Sequence, residues 1–197
     1  PQTPPPPHGE RITLPSVTLA TSYHGRIVYT FRGLPYVIDL DTGEHFRYEG
    51  GRLMIFPKWH PSGEFFATGE GDIELVDFTT GIITTLAPGR RPTWHPDGNL
   101  ILYNLGNNAP SATIFDINTQ SIMQAETTTG IAIINADWSS DGRYIVFGSG
   151  GTAYGVNGIQ VLTIEAQCLE NGPCNPTQLT PSNDVMSRNE TPQWSPD

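Results

Sequence analysis

The chain has 197 residues and a net charge of −10, with 10 basic and 20 acidic side chains. This balance argues against binding to nucleic acids or anionic membrane surfaces, both of which attract basic proteins. No apolar run is as long as the roughly 18 residues that a membrane-spanning helix needs. The 21 glycines and 18 prolines are typical of many short strands joined by turns.

The chain starts with a proline-rich segment, Pro1-Gln2-Thr3-Pro4-Pro5-Pro6-Pro7. Residues 1–16 are predicted to form an extended, disordered or polyproline tail. Such a spacer could follow a removed signal or an upstream anchor, or it could reflect a cloning boundary. Residues 17–197 are predicted to form a repeat domain.

The first repeat begins after Gly25, where the branched and aromatic run Arg26 to Phe31 predicts a strand. A second strand over Val37 to Leu40 leads into the turn Asp41-Thr42-Gly43. This turn weakly resembles a calcium loop but lacks the later ligands, so we interpret it as a plain polar turn. The copy has no tryptophan and is therefore degenerate.

Four later segments share one phrase centred on a tryptophan. They read FPKWHPSG, RPTWHPDG, NADWSSDG and TPQWSPD, and Trp59, Trp94, Trp138 and Trp194 lie 35, 44 and 56 residues apart. In the first three, Gly63, Gly98 and Gly142 can take the positive φ that closes a hairpin turn. A recurring unit of this length predicts a repeat architecture.

Each complete unit contains a strand after the glycine, a second strand, a polar turn and a returning strand. The predicted first strands are Glu64 to Thr68, Asn99 to Tyr103 and Arg143 to Phe147, and the second strands are Ile73 to Asp77, Thr113 to Ile117 and Ile159 to Ile164. With the tryptophan strand this gives four up-and-down strands, the composition of a propeller blade. The fold class is all-β. A β-sandwich with similar turns is the alternative.

The phrase Pro-x-Trp-Ser-Pro-Asp-Gly resembles the repeat of TolB-like and WD40-like (PD40-type) β-propellers. The copy ending at Asp197 follows it up to its last residue, whereas the copies at Trp59 and Trp94 have histidine in place of serine. About four blades and the start of a fifth are present, fewer than the six or more that such rings usually contain. The resemblance therefore implies an incomplete ring: either part of a longer protein, or a ring that closes unusually or with a partner.

Two cysteines, Cys168 and Cys174, flank a short turn-rich loop. The loop could bring them to bonding distance, which would indicate an oxidising compartment, or they could remain free thiols. They are not expected to bind a metal ion, because no further cysteine or nearby histidine would complete the set of ligands. His60 and His95 occupy equivalent turn positions, and we interpret them as turn caps rather than ligands of a shared metal.

Four arginines precede the tryptophan strands, in the predicted loops that enter those strands. They are Arg52, Arg90, Arg91 and Arg188. Because the corresponding loops of neighbouring blades open on one face, these side chains could hold a carboxylate or an acidic partner segment. Separate solvated or locally paired arginines are the alternative.

The sequence contains no Gly-x-Ser-x-Gly elbow, phosphate-binding loop, dinucleotide fingerprint or zinc-protease motif. We therefore expect a non-catalytic extracytoplasmic propeller, without a cofactor, that binds a protein or peptide in a cell-surface or envelope assembly. The resemblance leaves a second possibility, the gating propeller of a prolyl-oligopeptidase-like serine peptidase whose catalytic domain lies outside this chain. A propeller enzyme or small-ligand sensor is a third.

Overall fold

The computed structural model describes residues 9–18, 23–50, 53–106, 112–151, 156–180 and 192–195. Within these ranges the structure contains fifteen strands and one short 3-10 helix, and every strand pairing is antiparallel. The chain divides into an N-terminal unit, Gln2–Pro92, and a C-terminal unit that begins at Thr93. Each unit is described by itself.

The N-terminal unit contains two four-stranded arrays. The first is ordered β1-β4-β3-β2, from β1 (Glu10–Leu14), β2 (Arg26–Phe31), β3 (Leu34–Asp39) and β4 (His45–Glu49). The second is ordered β5-β6-β7-β8, from β5 (Lys58–Trp59), β6 (Phe65–Thr68), β7 (Glu70–Asp77) and β8 (Ile83–Trp94), whose last two residues belong to the C-terminal unit. The second array has the predicted strand order of a blade.

The first array differs from the predicted blade at its start. Glu10–Leu14 falls within the segment predicted as a tail, yet it pairs with β4, with Glu10 opposite Glu49 and Leu14 opposite His45. The strand joins the sheet at the edge opposite β2, so this array reaches four strands without a tryptophan strand beside β2. Residues 1–8 of the predicted tail lie outside the described part of the chain.

The core of the N-terminal unit forms between alternating side chains of its two arrays. Along β3, Val37 is fully buried while its neighbours Tyr36 and Ile38 are partly exposed, the period of two expected of a strand with one face inward. The ring centroids of Tyr48 and Phe66 lie 5.3 Å apart, and those of Phe46 and Phe78 lie 5.7 Å apart, both edge to face. Burial of each such aromatic side chain contributes about 1.5–3 kcal/mol.

The C-terminal unit also contains two arrays. The end of β8 is followed by β9 (Leu100–Asn104), β10 (Ala112–Asp116) and β11 (Ile122–Ala125), in that order. The second array is ordered β12 (Ile134–Trp138), β13 (Tyr144–Gly151), β14 (Val156–Glu165) and β15 (Thr177–Gln178). Ile114, Trp138, Phe147 and Leu162 are members of one buried cluster that joins these arrays.

The repeated phrases form the predicted turns. Gly63, Gly98 and Gly142 have φ values of 73°, 77° and 70°. In the first of these turns the His60 ring nitrogen Nδ1 accepts the backbone N–H of Ser62 at 3.0 Å, and in the second that of His95 accepts the N–H of Asp97 at 3.2 Å. The histidines thus cap the turns, as predicted.

The four tryptophans are not equivalent in burial. Trp94 and Trp138 are 7% and 6% exposed, Trp59 is half-buried, and Trp194 is 38% exposed. Trp194 is held by a hydrogen bond from its backbone N–H to Asp137 Oδ2 at 2.9 Å and by its ring, whose centroid lies 6.1 Å from that of Tyr144. The fourth phrase therefore packs on β12 and β13.

Cys168 and Cys174 form a disulfide, as the short loop between them suggested. The loop lies between β14 and β15, the third and fourth strands of its array, and begins with a 3-10 helix at Ala166–Glu170. Cys174 is fully buried, and its backbone N–H donates to the carbonyl of Glu126 at 2.7 Å. These contacts fix the loop against the segment that follows β11.

A candidate binding surface of arginine and phenylalanine side chains

Two of the four predicted arginines lie on a strand rather than in a loop. Arg90 and Arg91 are part of β8, which runs without interruption from Ile83 to Trp94, so the expectation of a loop here is wrong. The cause is the length of this strand: its start pairs with β7 and its end with β9, so it serves both arrays. Arg52 and Arg188 lie outside the described residues.

Arg90 is paired with a carboxylate. Its Nη1 atom lies 2.8 Å from Glu70 Oε1, and the two side chains are 21% and 22% exposed. The residues face each other across the register of β7 and β8. Because this pair is partly shielded from water, we interpret it mainly as a support for the neighbouring side chains.

Arg91 is stacked on an exposed ring. Its guanidinium carbon lies 4.9 Å from the ring centroid of Phe56, within cation–π range, and Phe56 is 41% exposed. The backbone N–H of Arg91 donates to the carbonyl of Gly69 at 3.3 Å, which holds β8 against the start of β7. Arg91 and Phe56 both have positive φ, at 54° and 59°.

A second arginine–phenylalanine pair lies at the β2–β3 hairpin. Arg32 and Gly33 form its two-residue turn with φ values of 53° and 81°, and the Arg32 guanidinium carbon lies 5.2 Å from the Phe31 ring centroid. Leu53 covers the turn so closely that a Cβ atom at Gly33 would lie 2.6 Å from its Cδ2 atom. Phe31 and Leu53 are 53% and 55% exposed.

Backbone hydrogen bonds link the segments that carry the two pairs. The carbonyl of Gly33 accepts the N–H of Met54 at 2.9 Å, and the carbonyl of Ile55 accepts the N–H of Gly69 at 2.8 Å. Gly69 in turn accepts from Arg91. We define the Arg–Phe surface by five residues of the N-terminal unit: Phe31, Arg32, Leu53, Phe56 and Arg91.

The chemistry of this surface is that of recognition. Three exposed apolar side chains offer area to be buried, and the two guanidinium groups add positive charge beside them. Both groups are positively charged in a chain whose net charge is −10.

Within the described ranges, no three His, Cys, Asp or Glu side chains are grouped so that they could hold a metal ion. In the same part of the chain, no helix is long and apolar enough to cross a membrane.

The C-terminal unit has a separate groove beside the disulfide loop. It has a volume of about 550 Å³ and is lined by Tyr144, Thr163, Glu165, Cys168 and Asn175, among other residues. Its polar lining contains no arginine and thus differs in character from the Arg–Phe surface.

Sequence reasoning missed four members of the surface: Phe31, Arg32, Leu53 and Phe56. Arg32 precedes a glycine between two predicted strands, a signal for a tight hairpin that could have placed it at an exposed tip. Phe56 and Arg91 stand three residues before Trp59 and Trp94. Alignment of the phrases on their tryptophans would have shown that the two positions correspond.

Comparison with solved structures identifies the fold. The chain is similar to TolB from Acinetobacter baumannii, with a TM-score of 0.66 and 21% identity over 87% of this chain and 45% of that one. It is similar to a putative TolB from Agrobacterium tumefaciens, with a TM-score of 0.65 and 16% identity over 97% of this chain and 75% of that one. The tricorn protease gives a TM-score of 0.50 and 16% identity over 71% of this chain and 16% of that one.

No protein-family model and no curated protein matches the chain. The structural matches confirm the predicted TolB-like β-propeller fold, and the chain spans less than half the length of the Acinetobacter protein. At these levels of identity the similarity defines the fold and not the activity.

Proposed function

We propose that the chain is a non-catalytic binding module that acts outside the cytoplasm and holds a protein or peptide partner at its Arg–Phe surface. The partner would belong to a cell-surface or envelope assembly. The observation that carries the proposal is the exposure of Phe31, Leu53 and Phe56, at 53%, 55% and 41%, on hydrogen-bonded segments that also carry two guanidinium groups stacked on phenylalanine rings.

This grouping suits a protein partner for a physical reason. Aromatic and arginine side chains are enriched where binding energy is concentrated, because they combine a large apolar area with directed polar groups. Most exposed apolar residues of a folded protein are scattered singly, whereas these three belong to segments linked by hydrogen bonds at Gly33 and Gly69. Phe31 and Arg32 also lie at a tight hairpin and Arg91 lies within β8, which restricts their movement.

The disulfide supports the proposed compartment. Structural disulfides persist in secreted, periplasmic and surface proteins and are rare in the reducing cytosol. The bond between Cys168 and Cys174 closes a loop whose second cysteine is fully buried. A location outside the cytoplasm is therefore part of the proposal.

A peptide-display selection against the immobilised chain tests the proposal. We expect enrichment of peptides that contain both acidic and apolar residues, and a loss of affinity of at least about tenfold on the change Leu53→Ser with Phe56→Ser. The matched control is Ile122→Ser, because Ile122 is 56% exposed and lies in the C-terminal unit. It should leave the affinity unchanged. The proposal fails if no peptide is enriched, or if the control variant lowers the affinity as much as the double variant.

A further inference from the structure

The first array differs from the others at the edge formed by β2. In the second array β5 pairs with β6, with Trp59 opposite Phe66, and in the last array β12 pairs with β13, with Trp138 opposite Ile145. The end of β8 likewise lies beside β9. In the first array β2 holds the place of β6 and β13, yet among the described strands β3 alone pairs with it. Within the described part of the chain, the position of a tryptophan strand beside β2 is therefore open.

Ile27 occupies the position in β2 that lies opposite a tryptophan in the other arrays. Its partner in β3 is the residue before Asp39, which caps the following turn, and the partner of Phe66 in β7 is likewise the residue before Asp77. Phe66 and Ile145 are fully buried, whereas Ile27 is 49% exposed. The exposure of Ile27 follows from the absence of a described strand beside it. An aromatic side chain opposite Ile27 would cover it.

The backbone of β2 offers the groups to which a further strand would bond. The carbonyl of Gly25 accepts the N–H of Leu40 at 2.8 Å, which defines the residues whose backbone faces β3. Because an antiparallel ladder bonds every second residue, the backbone N–H and C=O groups of Arg26, Val28 and Thr30 point away from β3. These groups have no hydrogen-bond partner among the described residues. A strand edge of this kind can bind an extended segment by strand addition.

The tip of the same hairpin carries an unpaired positive charge. Arg32 is exposed, and its guanidinium stacks on the Phe31 ring without a hydrogen bond or an ion pair to a described residue. Its φ of 53° belongs to a turn position at which glycine or asparagine is favoured, and yet the chain has arginine there. Phe31 beside it is 53% exposed. This end of β2 therefore suits an acidic residue of a partner.

We propose that an extended segment of the partner adds to β2 as an antiparallel strand, in the position that a tryptophan strand takes in the other arrays. The inference rests on the proposed function and specifies how the partner is held. An aromatic side chain of the segment lies opposite Ile27. Because the segment runs antiparallel to β2, an acidic residue about four or five positions before the aromatic one reaches Phe31 and Arg32 at the hairpin tip. The recognised segment is thus defined by this spacing.

Amide hydrogen exchange of the native chain tests for the added strand. Exchange is measured by NMR with and without the peptide enriched in the display selection. The bound peptide should slow the exchange of Arg26, Val28 and Thr30 by at least about tenfold more than that of Tyr29, whose amide already faces β3. If the three amides are protected in the free chain, or if the bound peptide does not slow their exchange, the inference is overturned.

Methylation of the peptide nitrogens gives a second test that leaves the protein unaltered. Two versions of the enriched peptide are compared, each N-methylated at one of its two alternating sets of residues. In an added strand only one set donates hydrogen bonds to β2, so one version should lose affinity by at least about tenfold and the other should retain most of it. Equal effects of the two versions would contradict strand addition.

Two substitutions locate the side-chain contacts. Arg32→Gly suits the positive φ of this turn position and removes the side chain, so it should preserve or raise the unfolding temperature and lower the affinity by at least about tenfold. Its matched control is Gln120→Gly, because Gln120 has a φ of 56° in the loop between β10 and β11. Ile27→Ser should also lower the affinity, whereas Ile122→Ser, at a position 56% exposed on β11, should not.

The outcomes separate the inference from the proposed function. If no peptide binds the native chain, the proposed function fails. If peptides bind but lack the spacing of acidic and aromatic residues, or if Arg32→Gly and Ile27→Ser bind them as the native chain does, the inference is overturned while the proposed function stands. Should either variant not fold, the exchange and N-methylation experiments decide, because both use the native chain.

Discussion

Replacement of individual repeat tryptophans by alanine should lower the free energy of unfolding to different degrees. Trp138 is 6% exposed, belongs to the core of the C-terminal unit and meets the His95 ring edge to face, with centroids 4.7 Å apart. A tryptophan side chain buries about 200 Å², which at about 25 cal/mol per Å² gives about 5 kcal/mol. This agrees with the 3–5 kcal/mol or so that deletion of a core tryptophan removes from the free energy of unfolding.

Trp194 should contribute much less. It is 38% exposed, so the same area argument gives about two thirds of that value, and an open site leaves no closed cavity behind. We expect Trp194→Ala to lower the free energy of unfolding by about 2 kcal/mol and Trp138→Ala by about 4 kcal/mol. Urea denaturation followed by far-ultraviolet circular dichroism measures both losses, because this signal does not depend on the tryptophan that is removed.

Trp94, at 7% exposed, should behave like Trp138, and Trp138→Phe should retain part of the stability because it fills part of the cavity. Equal losses for Trp94, Trp138 and Trp194 would show that burial does not determine how much each tryptophan contributes. A larger loss for Trp194→Ala than for Trp138→Ala would refute it more directly.

Three further predictions concern single features of the fold. Gln120→Gly should raise the free energy of unfolding by about 1 kcal/mol, because Gln120 has a φ of 56°; urea denaturation measures the gain. Reduction of the disulfide, or replacement of both cysteines by serine, should lower that free energy by about 2 kcal/mol in the same assay, since the bond joins residues separated by only 6 positions. Burial raises the pKa of Tyr48 to about 12, although the neighbouring Arg11 acts to lower it. Because this pKa exceeds the value of about 10 in the unfolded chain, the associated stability is complete below about pH 10 and is lost as the pH rises toward 12, by about 3 kcal/mol. Urea denaturation of the native chain and of Tyr48→Phe at several alkaline pH values should show a weaker dependence in the variant.

Each of these predictions has its own control. Gly81→Ala reverses the change at Gln120: Gly81 has a φ of 75° and a Cβ there would lie 2.7 Å from Arg11 Cβ, so the free energy of unfolding should fall. A gain in this variant, or a loss in Gln120→Gly, would contradict the strain argument. A disulfide effect near zero would mean that the loop is held by its other contacts alone. An alkaline loss that is the same in Tyr48→Phe would exclude this tyrosine as its source.

The repeated turns could be predicted because their chemistry is local. Proline, serine or aspartate, and glycine within a few residues determine a hairpin turn, and Gly63, Gly98 and Gly142 all adopt the expected backbone. The disulfide is local in the same sense, because Cys168 and Cys174 have a sequence separation of only 6. Strand β1 was missed because the proline-rich start dominated the composition of the segment, while its partner strand β4 follows much later in the chain.

The Arg–Phe surface could not be predicted in full because it depends on contacts between distant segments. Phe56 and Arg91 belong to successive repeats, and only their fold brings the guanidinium to the ring. The sequence predicted Arg91 as a binding residue. It did not predict the left-handed backbone that Arg91 shares with Phe56, because residues with a side chain disfavour that conformation. The unbroken course of β8 through Arg90 and Arg91 likewise depends on its pairing with strands on both sides.

An amide NMR titration of the native 21.5 kDa chain with its enriched peptide would show directly whether the Arg–Phe surface binds the partner. We expect the largest chemical-shift changes, saturating together, at five residues: Phe31, Arg32, Leu53, Phe56 and Arg91. Changes confined to the groove around Tyr144 and Glu165, with the Arg–Phe surface unaffected, would contradict it.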